Sequence, residues 1–148
     1  MLRFLKIDSN EDRNEAFEMI KASSDKTLVI NLIQEDREME KLFDIQDLII
    51  YNSYDYFSGL VNFDKAYIEV TDGLSWLAST YKKSDHEIEL DKVIELTKGF
   101  EESFVLMTSD QLEYFNDVEV FSKIDETKDV DEKKGFWAFL KRLFGHDR

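Results

Sequence analysis

Six consecutive residues, Thr27-Leu28-Val29-Ile30-Asn31-Leu32, constrain the fold more than any other stretch. The run is short, apolar and rich in branched side chains, the pattern of a strand covered on both faces. Its flanks supply the beginnings of a layered domain. Residues 2–8 alternate apolar and polar side chains as a strand does. Ser9-Asn10-Glu11-Asp12 then fits a capping box, in which a serine and an acid three residues on satisfy each other's backbone N–H groups. Ala16, Phe17 and Ile20, with Met19, give the following helix a buried stripe, and Ser23-Ser24-Asp25 ends it. The chain opens β-α-β.

Over residues 35–50, Met39, Leu42, Phe43, Ile45, Leu48 and Ile49 keep a helical period, with Asp44 and Asp47 at surface positions. Residues 51–57 are aromatic-rich and fit either a continuing helix or a strand, and Gly59 closes them. Residues 65–71 alternate as a strand, Asp72-Gly73 is a hairpin signal, and residues 74–79 return as the partner. Beyond a polar break at 82–87, residues 88–97 fit a helix or a strand. Residues 104–107 read as a buried strand, 109–115 as a helical turn or more, and 118–124 as a last strand. The fold expected is α+β: a mixed β-sheet with helices packed against it, starting β-α-β, plus a C-terminal amphipathic helix. At 148 residues and 43% hydrophobic content the chain holds one ordinary core.

Charge divides the chain further. Through Glu132 there are 14 Lys+Arg against 32 Asp+Glu, a net of −18, whereas from Lys133 there are 5 against 1, a net of +4. Opposite charges suggest two different surfaces to bind. Three parts are expected: an acidic α/β body at 1–124, an acidic tether at 125–132, and a basic amphipathic membrane-targeting helix at 133–148. On a helical wheel Phe136, Phe139, Leu140, Leu143 and Phe144 cluster on one side, Trp137 at the margin, Lys141 and Arg142 opposite. Such a stripe is the pattern of a helix lying in a bilayer interface, with cations toward anionic lipid. It is too short to span, which takes about 20 apolar residues. The membrane-binding residues expected are Lys133, Lys134, Phe136, Trp137, Phe139, Leu140, Lys141, Arg142, Leu143 and Phe144. The competing arrangement docks this stripe on the body itself, as most amphipathic helices of globular proteins do.

Burial of six large side chains at an interface yields about 1 kcal/mol each, and each cation about 1 more. Ordering ten residues costs about 1.5 kcal/mol apiece. The balance is marginal, so one tail binds reversibly and stable attachment calls for several on one assembly. A homo-oligomer is expected.

Catalytic signals are thin. The only histidines, His86 and His146, lie far apart, and the five glycines are scattered, with no phosphate-cradling loop. The acidic clusters lack the spacing of a calcium loop. With 33 acidic residues, chance carboxylate pairs are expected. The expectation is a protein without enzymatic activity, cofactor or resident metal. An acidic body is repelled by nucleic-acid phosphates and complements a basic protein surface. Absence of cysteine and of an apolar signal region at the N-terminus fits a cytoplasmic protein, peripheral on the inner face of the cell membrane.

Two families resemble parts of this pattern. Lys133-Lys134-Gly135-Phe136 with residues 139–145, Phe-Leu-Lys-Arg-Leu-Phe-Gly, resembles the C-terminal membrane-targeting sequence of MinD division-site ATPases, with an insertion near Trp137-Ala138. No GxxxxGKS or GxxxxGKT motif accompanies it, so the ATPase itself is not implied. Residues 14–20, Leu28-Val29-Ile30-Asn31-Leu32, Asp36-Arg37-Glu38-Met39 and Asp55-Tyr56-Phe57-Ser58-Gly59 resemble the core domain of SepF. That resemblance implies a small polymerising adapter that binds the tail of the tubulin-like division protein FtsZ and ties it to the membrane through an amphipathic helix. In SepF that helix is N-terminal; here it is C-terminal. The function expected is a membrane-tethered adapter for a protein partner of the division machinery. The alternative is an acidic inhibitor or immunity protein that covers a basic toxin or nuclease surface.

Overall fold

The computed structural model describes residues 1–114. They form β1 (Leu2–Lys6), α1 (Asn10–Lys21), β2 (Thr27–Asn31), α2 (Glu38–Leu42), a 3-10 turn (Gln46–Leu48) and α3 (Ser53–Phe57). There follow α4 (Phe63–Ala66), β3 (Ile68–Thr71), β4 (Leu74–Leu77), α5 (Leu90–Thr97), β5 (Glu102–Met107) and α6 (Ser109–Tyr114). The strands make one mixed sheet in the order β1-β5-β2-β4-β3. Strands β1, β5, β2 and β4 are parallel, and only β3 runs against its neighbour β4. The β-α-β opening and the mixed sheet agree with the sequence expectation.

Every residue of β2 is buried, because the strand lies third of five and both sheet faces are covered. Its side chains alternate between two cores. Leu28 and Ile30 join Phe4, Leu77, Val105 and Val93 of α5 on one face. Val29 joins Trp76, Phe104, Ile20 of α1 and Met39 of α2 on the other. Register makes these layers: Val29 pairs with Phe104 on one side and Trp76 on the other. Right-handed crossovers explain the split. The step from β1 to β2 crosses the sheet in one direction and that from β4 to β5 in the other, so α1 and α5 pack on opposite faces.

Between α2 and α3 the chain changes face over the carboxyl ends of β2 and β4. Ser53 holds the crossing point: fully buried, it donates from N to Ala78 O at 2.7 Å and from Oγ to Asn31 O at 2.8 Å. Asn52 then starts α3 through a capping box with Asp55, which resolves residues 51–57 as helix in their latter part.

Three local expectations change. The helix foreseen over residues 35–50 is only Glu38–Leu42 plus the 3-10 turn Gln46–Leu48, because Asp44 between them takes a left-handed conformation, φ 56°. Leu42 and Leu48, foreseen in its buried stripe, are exposed. The strand foreseen over 65–71 starts at Ile68, since Asn62 caps a helical turn running through Ala66. Ser9 caps α1 by accepting from Asp12 N, but the Asp12 carboxyl returns to Asp8 N, one residue before the box position. Residues 88–97 resolve as helix from Leu90. The expected strand at 118–124, tether at 125–132 and helix at 133–148 lie outside the described residues.

Candidate functional site

All ten expected membrane-binding residues, Lys133 to Phe144, lie outside the described residues. What the described residues present is a polar carboxyl end of the parallel sheet and an aromatic groove on one face. Open α/β sheets bind ligands at the carboxyl ends of their strands, so that end comes first.

There Glu40, on α2 and 0% exposed, is the hub of a hydrogen-bond knot. Its Oε2 accepts from Asn31 Nδ2 at 2.9 Å, from Trp76 Nε1 at 2.9 Å and from Ser79 N at 3.0 Å. Its Oε1 accepts from Ser79 Oγ at 3.0 Å. Asn31 Oδ1 in turn accepts from Ile33 N at 3.1 Å. Every donor that β2 and β4 aim at this point is met by one carboxyl group. The knot fastens α2 across the ends of two strands, and both carboxyl oxygens are buried and bonded to protein donors, so its work is structural.

On the other face, Tyr54 of α3 is buried and sits among amides. Its hydroxyl donates to Leu32 O at 2.7 Å and accepts from Gln34 Nε2 at 3.0 Å and Gln111 Nε2 at 3.2 Å. Burial raises the phenol above its ordinary value of 10.0, and the two glutamine hydrogen bonds partly oppose that rise. Gln34 Oε1 also accepts from Ser84 N at 2.8 Å, fastening the loop between β4 and α5. A cavity of about 220 Å³ borders this network, lined in part by exposed His86 and buried Ile88. The amides that face it are already paired with protein atoms, so recognition there would have to break bonds first.

The second feature is a groove of about 810 Å³ between the α3–α4 segment and α5, lined chiefly by Tyr56, Phe57, Val61, Phe63, Leu96 and Phe100. Phe63 organises its aromatic wall: it stacks on Tyr67 at 5.0 Å and meets Tyr56 at 5.9 Å and Phe100 at 6.2 Å between ring centres. Phe57 belongs to the buried core, whereas Tyr56, Val61, Phe63, Leu96 and Phe100 are only partly buried and pack on it from outside. Further apolar side chains stand free in the α2–α3 connection and after α3, with Leu48 58%, Ile50 82% and Leu60 67% exposed. Interaction surfaces have this character, whereas a lone exposed leucine does not.

Sequence reasoning registered the aromatic run at 51–57 but not the groove, which needs α5 brought alongside it. Glu40 was invisible as a hub because Asn31, Trp76 and Ser79 are distant in sequence. Among the described residues no cluster of three or more His, Asp or Glu is arranged to hold a metal ion, and no helix is long and apolar enough to cross a membrane.

No family model matches the chain, and no curated protein does. Its sheet and helices are similar to crystal structures of plasmid partition proteins from Borrelia burgdorferi. An iodide-soaked form is 17% identical with a TM-score of 0.52, covering 72% of this chain and 55% of that one. A plasmid partition protein structure from the same organism, bound to AMPPNP, is 17% identical with a TM-score of 0.51, covering 72% of this chain and 52% of that one. The chain thus spans about half the length of these neighbours, and at such identity the likeness is one of fold.

Proposed function

We propose that the protein is a non-enzymatic, membrane-tethered adapter whose acidic body holds a protein partner while residues 133–148 lie on anionic lipid. One observation carries the reading. Residues 1–114 close both faces of their own sheet with their own helices, so neither core calls on the basic apolar stripe that the tail carries. A stripe with aromatics on one side and Lys141 and Arg142 on the other suits a lipid surface. The location proposed is peripheral, on the inner face of the cell membrane.

The partner proposed is a component of the division machinery, an FtsZ-type filament, with the adapter acting as a homo-oligomer. The segments resembling SepF fall on α1, β2, the opening of α2 and α3, adjacent elements of one body. The exposed apolar side chains at Leu48, Ile50 and Leu60 offer contact area beside them. The AMPPNP of the partition protein is not carried over to this chain. None of the described strand-to-helix turns contains a glycine, the residue a phosphate-cradling turn needs.

Net charge favours a second reading, an acidic inhibitor that covers a basic toxin or nuclease surface. The tail separates the two. Flotation of the full chain with anionic vesicles, compared with a Phe139→Glu/Leu143→Glu variant, tests the tether. Strong flotation lost in the variant supports the adapter, and equal flotation of both ends it.

A further inference from the structure

The aromatic groove and the basic tail match in length, chemistry and charge. Helix α5, which forms one wall, has 8 residues and is about 12 Å long, and the stripe from Phe136 to Phe144 as a helix would be about as long. The floor and walls are aromatic and aliphatic, which suits an amphipathic helix presenting anchors at i, i+3, i+4 and i+7. The bordering segments, residues 53–66 and 89–102, carry seven acidic side chains against three basic ones. Two of those three, Lys92 and Lys98, already pair with Glu89 and Glu95. Lys92 and Glu95 are the charged residues that line the groove itself, and the segments that frame it are net −4, opposite in sign to the tail of net +4.

Reach is sufficient. The described chain ends with α6 on the same sheet face as the groove, where Leu112 joins the core and Gln111 bonds Tyr54 of α3. Helix α3 also supplies Tyr56 and Phe57 to the groove. The last described helix is therefore one short helix away from it. The eighteen residues from 115 to 132 span at most about 60 Å, well beyond the dimensions of a domain this size.

We infer that the groove formed by α3, α4 and α5 is an intramolecular dock for residues 133–148, so that groove and lipid compete for the same apolar stripe. The inference rests on the membrane reading above and adds its regulation. Docked, the tail is withheld from lipid. A dense anionic surface, or a partner that takes the groove, releases it. The apparent affinity for lipid then falls by the fraction of molecules whose tail is free.

Gly99 allows a clean test, because it is exposed and a side chain there would point into open space beside the groove. The chain has no cysteine, so in a full-length Gly99→Cys/Leu140→Cys variant any disulfide within one chain must join positions 99 and 140. Under mild oxidation without lipid, the expected product is a monomer cross-linked within the chain, and anionic vesicles suppress it. Gly99→Phe adds a ring at the edge of the groove without removing a core contact, and Glu95→Lys reverses charge at its rim. Each is expected to bind anionic vesicles about tenfold more tightly than the wild type, as for a tail free about one-tenth of the time. Vesicle binding with no intramolecular disulfide, a disulfide found only between two chains, or equal vesicle affinity in wild type and both groove variants overturns the dock. An intramolecular disulfide in a chain that binds no vesicles supports docking and ends the tether reading instead.

Discussion

Glu40 and Trp76 are joined at 2.9 Å, indole N–H to carboxyl oxygen, with neither side chain exposed. The pair belongs to a knot in which four donor groups converge on one carboxyl. It explains how a helix of five residues, far too short to be stable alone, stays in place over the carboxyl ends of β2 and β4. Replacing Glu40 by Gln keeps one oxygen for the three donors at Oε2 and lets the amide turn to Ser79 Oγ. Replacing it by Met strands all of them, at a cost of about 1–3 kcal/mol for each unsatisfied group before relaxation. Urea midpoints are expected in the order wild type, Glu40→Gln, Glu40→Met, the last about 3 kcal/mol or more below the first. A Met variant as stable as wild type would show that the knot contributes nothing.

Two glycines with positive φ should respond differently to alanine. Gly59, φ +86°, has open space where a Cβ would go, while Gly73, φ +91°, would place that Cβ 2.0 Å from the carbonyl oxygen of Asp25. Gly73 also accepts from Thr27 N at 2.8 Å through its own carbonyl, which ties the β3–β4 hairpin to the start of β2. Gly59→Ala is expected to lose about 1 kcal/mol, the cost of the backbone conformation. Gly73→Ala must in addition move the backbone at residue 25, and its loss should be at least twice as large. Thermal unfolding of the two variants side by side checks the order, and equal losses would discard the steric argument.

The sequence pattern made β2, the β-α-β opening and the Asp72-Gly73 hairpin readable because each is local: a run, a cap or a turn dipeptide. It failed at Asp44, where a left-handed residue ends α2 with no glycine or proline to announce it. Aspartate tolerates that conformation, so the break carries no composition signal. It failed also at Ala66, where an asparagine cap four residues earlier outweighed an alternating pattern. The groove and the Glu40 knot depend on crossovers that bring distant residues together, and periodicity holds no information about them. The tail was conspicuous for the opposite reason, since its chemistry is concentrated in sixteen consecutive residues.

Tyr54 gives the body an alkaline sensitivity. Burial raises its folded-state pKa above 10.0, so below about pH 10 the phenol is neutral folded or unfolded and its stabilising hydrogen bonds are intact. Above that value the unfolded chain loses the proton first, which favours unfolding, and the contribution is lost as pH rises through the folded value. Tyr54→Phe is expected to cost about 1 kcal/mol at pH 8 from the lost hydroxyl bonds. It should also lose less further stability than wild type between pH 8 and pH 11. Urea midpoints at the two pH values decide it: an equal fall in both proteins assigns the alkaline loss to other groups.

Electrostatics should govern the tail's hold on lipid if the tether reading is right. Each cation near an anionic surface contributes about 1 kcal/mol, so Lys141→Ala/Arg142→Ala is expected to weaken binding to anionic vesicles by about thirtyfold. Neutral vesicles should lose most of the attraction for both proteins, because burial of the aromatic stripe alone, about 6 kcal/mol, falls short of the cost of ordering the segment. Raising salt from 0.1 M to 1 M shortens the screening length from about 10 Å to about 3 Å, and wild-type binding should fall toward that of the double variant. The acidic body adds an opposing term at low salt, repelled from the same surface. Titrating vesicles against the fluorescence of Trp137 is complicated by the second tryptophan, but Trp76 lies fully buried in the core, so the lipid-dependent change reports the tail. A wild-type affinity that neither salt nor the loss of both cations alters would mean that whatever holds the chain to the vesicle is not the basic side chains of this segment.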